Sequence, residues 1–160
     1  MVERAVIDAS PLILFSRSGH LALLRSFAET LWVPQSVADE INARGDIDPT
    51  AMALREHTWL VAKPPTTILS EVLNWRLGAG ETSVLALALQ HGLEAIIDDL
   101  GARKCAASLG IPVRGTLGIV LVAKQRGIIP LARPVLHELL QAGLYLSGRV
   151  LAQALARVGE

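Results

Sequence analysis

Five acidic side chains in this chain stand where an open-sheet protein presents its working edge. Asp8 closes a short apolar stretch, residues 4–8 (RAVID). Glu40 lies shortly after another, residues 31–33, and Glu81 follows the glycine turn Gly78-Ala79-Gly80. Asp98 and Asp99 end a third, residues 94–97. Each has an ordinary explanation alone: a turn bond for Asp8, a solvated helix face for Glu40, a favourable helix dipole for Glu81, a helix cap for Asp98 or Asp99. Their joint placement is what argues for chemistry. Carboxylates brought within ~4–6 Å raise one another's pKa and weaken the fold. A divalent cation removes that penalty. Oxygen donors without His or Cys select Mg²⁺ or Mn²⁺ over Zn²⁺. Metal-bound carboxylate clusters of this kind activate water for phosphodiester hydrolysis.

For those acids to meet, short strands must alternate with helices. Strands are expected at 4–8, 31–33, 59–61, 94–97 and 111–113. Ser10 is a good N-cap and Pro11 suits the first helical position, so a helix should carry Leu12 to Phe15, break near Ser18-Gly19 and resume over 21–27. Ser36 and Asp39 have capping-box spacing for the next helix. A polar loop over 42–48 precedes a helix over 49–56, and Pro64-Pro65 blocks continuation of the third strand. Residues 67–75 form a helix candidate. Residues 82–89 are apolar nearly all round, which places that helix in a core, and Gly92 stops it. Further helices are expected at 102–109, 115–124, 135–141 and 148–158, the last capped by Ser147. The alternation predicts an α/β fold with a central parallel sheet covered on both faces. All five acids then fall on its carboxyl edge, where ligands bind in such sheets.

Other reactive residue types have simpler readings. Trp32, Trp59 and Trp75 suit core packing rather than base stacking. His20, His57, His91 and His137 show no metal-ligand spacing, and Ser10 has no His–Asp pair to make it a nucleophile. Cys105 is the only cysteine and reads as a small buried hydrophobe, so no disulfide or thiolate cage is expected.

Length and composition suit one domain spanning 1–160, with helices closing it from about 134 to 160. Half the residues are hydrophobic and few are aromatic, which gives a well-buried aliphatic core. No apolar run reaches the ~18–20 residues of a membrane span, and the N-terminus lacks signal-peptide shape, so the expected location is cytoplasmic. The net charge of zero argues against a general nucleic-acid binder. Its distribution is uneven, however. Residues 101–160 hold eight of the fifteen Lys and Arg but only Glu138 and Glu160 among the fifteen acids. Arg103, Lys104, Arg114 and Lys124 could therefore receive an anionic partner such as RNA phosphates, or serve simply as helix-surface charges.

The ordered motifs resemble the PIN domain superfamily. Asp8 with Ser10 lies in DASPLI, Glu40 in VPQSVADEI, Glu81 in GAGE, and Asp98-Asp99 in IIDD followed by Arg103. The segment from Val113 to Gly118, the Gly143-to-Ser147 approach to the last helix and the Gly159-Glu160 end are similar to a prokaryotic PIN-like group related to VapC-type toxins. The resemblance covers nearly the whole chain. It implies a three-layer α/β/α sandwich and a metal-dependent endoribonuclease, with the toxin of a toxin–antitoxin pair as its candidate role and a small antitoxin protein as its candidate partner. Carried over by position, Asp8, Glu40, Glu81 and one of Asp98 and Asp99 would be metal-binding or catalytic acids using Mg²⁺ or Mn²⁺. Ser10, Arg103 and Lys104 would face the RNA. A homodimer is expected, partly through apolar residues of the C-terminal helices. A catalytically silent RNA- or protein-binding module is the competing reading. An aspartate phosphotransfer domain is disfavoured, because Asp8 is followed by Ala9 and Ser10 rather than by a second acid.

Overall fold

A computed structural model describes residues 1–160. In chain order the elements are β1 (Val2–Ile7), α1 (Ala9–Arg17), α2 (Leu21–Phe27), β2 (Ala28–Pro34), α3 (Gln35–Asn42), α4 (Pro49–Glu56), β3 (Leu60–Lys63) and α5 (Ser70–Leu73). They continue with α6 (Ala79–His91), β4 (Glu94–Ile96), α7 (Leu100–Ser108), β5 (Val113–Arg114), α8 (Thr116–Gln125), α9 (Ala132–Gln141) and α10 (Gly148–Arg157).

The five strands form one wholly parallel sheet in the order β3-β2-β1-β4-β5. Parallel strands are covered on both faces and therefore read as unbroken apolar runs. β1 follows that rule: Ala5, Val6 and Ile7 are fully buried. Its register sets Val6 beside Trp32 of β2 and Ile7 beside Ile96 of β4. Helices cover both faces, giving the α/β/α sandwich. In one set α2 packs on α8, and α8 on α9 and α10; in another α6 packs on α3, α5 and α7.

α6 is buried along its middle turns. Val84, Leu85, Ala86, Leu87 and Ala88 are all buried, so neighbours surround it on nearly every side. It ends at Gly92, whose left-handed backbone (φ 64°) only glycine adopts without strain. The Leu93 N–H closes the turn on Ala88 O at 2.9 Å.

Several local expectations shift. α1 begins at Ala9, with Asp8 rather than Ser10 at the N-cap. Pro11 is accommodated because N–H groups in a helix's first turn have no partner inside it. The capping box at Ser36 does not form; α3 already runs from Gln35, and the Ser36 hydroxyl bonds Ser83 of α6 at 2.8 Å. The helix expected over 67–75 shrinks to α5, one turn lacking a side-chain cap and followed by Arg76 at φ 51°. Trp32 is buried, but Trp75 is 39 % exposed, outside the core role expected of it. The apolar faces of α9 and α10 turn largely inward, with Val135, Leu139 and Leu155 buried and Val150 exposed. No helix is long and apolar enough to cross a membrane.

Candidate active site

The sheet order fixes where the acids can meet. From β1 the chain moves outward to β2 and β3, then returns to β4 on the other side of β1. The gap between β1 and β4 is thus the switch point of the sheet, where the loops leaving the two strands diverge and open a crevice. Asp8 leaves β1 at this gap and Asp98 follows β4 there. The Asp8 N–H still bonds Ile96 O at 3.0 Å, so the ladder extends one residue beyond β1 and fixes Asp8 in place.

Asp8 is 4 % exposed. It occupies the N-cap position of α1, yet its carboxylate makes no capping bond. Burial is the strongest influence on that carboxyl, and the negative charge of Glu81 is the next. The charges of Glu40 and Asp98 act in the same direction, while the adjacent Ala9 N–H opposes them. The result is a pKa raised from 3.8 to about 7. This is the signature of a carboxylate crowded by like charges away from water.

The glycines of the 78–81 segment make that crowding possible. A Cβ on Gly80 would stand 3.2 Å from Asp8 Oδ1 and 3.5 Å from Glu40 Oε2. Both oxygens therefore press against the backbone of the first turn of α6. A Cβ on Gly78 would stand 2.5 Å from Glu81 Oε2, so the Glu81 carboxylate folds back over the start of its own helix. The positive end of the helix dipole favours negative charge there.

The neighbouring aspartates have different partners. Asp98 accepts the backbone N–H of Thr116 at 2.8 Å and its hydroxyl at 2.6 Å. Asp99 caps α7 by accepting the Ala102 N–H at 2.9 Å. Asp8, Glu81, Asp98 and Asp99 line one cleft of about 450 Å³, together with Ser10. Glu40 reaches Asp8 from outside that lining. Arg103 is exposed, and its guanidinium stands beside Asp98 over Gly115. Lys104 is exposed on α7 and does not line the cleft.

The opposite wall was not foreseen as part of the site. Leu14 of α1 and the α9–α10 connection, Gly143, Leu144 and Tyr145, complete the cleft. The local sequence marks this connection as a glycine stop, a serine cap and part of the family resemblance, and none of these puts it at the acids. Its position over Asp8 depends on how α9 packs against α8, which no local pattern states.

No three His, Cys, Asp or Glu side chains close on a point as a ready-made metal cage. Such a cage is not what the smaller hard cation requires. Mg²⁺ keeps several waters and is commonly held by one or two carboxylates together with substrate phosphates. The cleft offers carboxylate oxygens, a serine hydroxyl and no His or Cys, and its buried Asp8 has charge to be neutralised. That donor set fits Mg²⁺ or Mn²⁺.

A family model described as a PIN domain matches residues 4–160. No curated protein matches the chain.

Proposed function

The chain belongs to the PIN domain family, a nuclease-type fold, and on that premise we propose that it is a metal-dependent endoribonuclease hydrolysing RNA phosphodiesters. The observation that carries the proposal is the state of Asp8: buried at the sheet's switch point, with Glu81, Glu40 and Asp98 all raising its pKa. The repulsion lowers stability, and carboxylates perturbed in this way cluster at functional sites, which supports the reading.

Asp8, Glu40, Glu81 and Asp98 would hold the cation. When bound, Mg²⁺ or Mn²⁺ supplies the Lewis acidity that activates water and neutralises phosphate charge. Gly78 and Gly80 let the carboxylates approach the α6 backbone. Thr116 fixes Asp98, and Asp99 keeps α7 in position beneath it. Ser10 and Arg103 flank the cleft on the sides from which an RNA backbone would approach, and Lys104 adds positive charge farther along α7. The resemblance to VapC-type proteins extends the proposal to a toxin restrained by a small antitoxin protein.

The test is cleavage of single-stranded RNA by the purified protein in Mg²⁺, in Mn²⁺ and in chelator. Expected is cleavage with either metal, none in chelator, and none by Asp8→Asn with its melting temperature retained. RNA binding with no cleavage under any metal would establish the silent-module reading instead. An Asp8→Asn protein as fast as wild type would remove Asp8 from the chemistry.

A further inference from the structure

We propose that Tyr145 is a stacking platform for a nucleobase beside the scissile phosphate. The inference rests on the ribonuclease reading above.

Tyr145 is the only tyrosine in the chain and is 88 % exposed, yet it forms part of the wall facing Asp8, Glu81 and Asp98. Scattered exposed apolar residues need no explanation. This one is held outward by structure on both sides. Before it, α9 closes through the Gly143 N–H on Leu140 O at 3.2 Å and the Leu144 N–H on Leu139 O at 2.9 Å, with Gly143 at φ 120°. After it, Ser147 caps α10 by accepting the Val150 N–H at 3.2 Å. Between these anchors Leu144 and Leu146 are half-buried, and Leu144 packs on the core. Leu144 on one side is drawn onto the core and Leu146 on the other is half-buried, while the ring of Tyr145 stands out at the cleft.

The electrostatics give the ring a purpose. The cleft is lined by four carboxylates and by no lysine or arginine. What attracts a polyanion here is a bound cation and Arg103 at the rim beside Asp98, and neither of them grips a base. A neutral aromatic face holds a base without charge and without regard to its identity, since every base has a π-face. Only unpaired bases can be splayed onto such a face; in duplex RNA they are stacked inside the helix. Tyrosine has only two side-chain torsions to fix, so little ordering entropy is lost on contact.

The experiment is steady-state cleavage in Mg²⁺ of a short single-stranded RNA and of the same RNA with an abasic residue next to the cleaved bond. The proteins are wild type, Tyr145→Phe and Tyr145→Ala. Expected is a KM raised about fivefold to a hundredfold by Tyr145→Ala, with kcat little changed and Tyr145→Phe like wild type. The abasic substrate should raise KM for wild type but no further for Tyr145→Ala. The salt dependence of KM should be the same for all three, because no phosphate contact is lost. Melting temperatures of the variants report folding directly. If wild type cleaves and Tyr145→Ala has an unchanged KM, stacking is wrong and the ribonuclease reading stands. If Tyr145→Phe fails as badly as Tyr145→Ala, the hydroxyl is what matters and stacking is again wrong. If wild type neither binds nor cleaves RNA, both readings fall.

Discussion

Thr116 binds Asp98 twice, giving its backbone N–H to Oδ1 at 2.8 Å and its hydroxyl to Oδ2 at 2.6 Å. Each carboxylate oxygen thus has its own donor, which fixes the plane of the group. Thr116 is fully buried and is the first residue of α8, so the helix dipole supports the same contact. The orientation of Asp98 is therefore set from an element that follows it by eighteen residues.

Replacing Thr116 by Val keeps the shape and removes the hydroxyl bond. Hydrogen bonds to charged groups are worth roughly 1.5–3 kcal/mol, so Thr116→Val should lose about that much stability in urea unfolding. Thr116→Ser, which keeps the donor, should lose much less. Equal losses for the two variants would show that the methyl group, not the hydroxyl, is what matters.

The raised pKa of Asp8 predicts a pH-dependent fold in the absence of metal. In the unfolded chain Asp8 releases its proton near 3.8, and in the native protein it does so near 7. Between those values the native state holds a proton that the unfolded state has lost. Asp8's contribution to stability is thus complete below about pH 4 and is lost as pH rises through 7. By linkage the full difference is on the order of 4 kcal/mol. Urea unfolding in chelator at pH 5 and pH 8 should show wild type weakening relative to Asp8→Asn, with Asp8→Asn the more stable protein at pH 8. Added Mg²⁺ should restore wild type, by ~2.7 kcal/mol at a hundredfold excess over Kd, and should do little for Asp8→Asn. Parallel pH curves for the two proteins would refute this account.

The parts of this arrangement that were legible in the sequence are those fixed by local chemistry. Two glycines followed by an acid and an apolar run gave α6 and placed Glu81 at its start. The polar loop after α3 and the Asp48-Pro49 start of α4 were equally plain: Asp48 caps through the Thr50 and Ala51 N–H groups. What could not be read depends on partners remote in sequence. Nothing in IIDD distinguishes Asp98 from Asp99; the distinction comes from Thr116 across the sheet and Ala102 within α7. Ser10 has the residue type of an N-cap and Asp8 that of a strand end, and the fold uses Asp8 for both positions. Tyr145 lies within the Gly143-to-Ser147 segment of the resemblance, but only the packing of α9 brings it to the cleft.

Gly80 should separate stability from activity. Alanine is a better helix former than glycine by about 1 kcal/mol, so Gly80→Ala should hold or raise the melting temperature as far as α6 alone is concerned. Its Cβ would press on Asp8 Oδ1 and Glu40 Oε2, at 3.2 and 3.5 Å. The carboxylates must then shift by a few tenths of an ångström within a site that works by close placement. The expected outcome is a folded protein with weakened Mg²⁺ binding by calorimetry and reduced RNA cleavage. Wild-type metal affinity in a folded Gly80→Ala protein would show that the close approach to α6 is incidental.

The two adjacent aspartates should answer differently to the same substitution. Asp98 is near enough to Asp8 to raise its pKa, and Asp99 is not among the groups that do so. Asp99 instead gives an oxygen to the Ala102 N–H as the N-cap of α7. Asparagine caps helices about as well as aspartate, so Asp99→Asn should retain the fold and most of the cleavage. Asp99→Ala should lose about 0.5–2 kcal/mol of stability, the usual cost of a lost cap. Asp98→Asn is the opposite case. The amide can keep contact with Thr116, because the threonine hydroxyl can turn to accept from its NH₂ group. The fold should therefore survive, while the lost charge weakens metal binding and cleavage far more than Asp99→Asn does. Side-by-side measurement of melting temperature, Mg²⁺ affinity and RNA cleavage decides the matter. Loss of cleavage in Asp99→Asn with Asp98→Asn still active would assign the metal-facing role to Asp99 and leave Asp98 as the brace that holds α8.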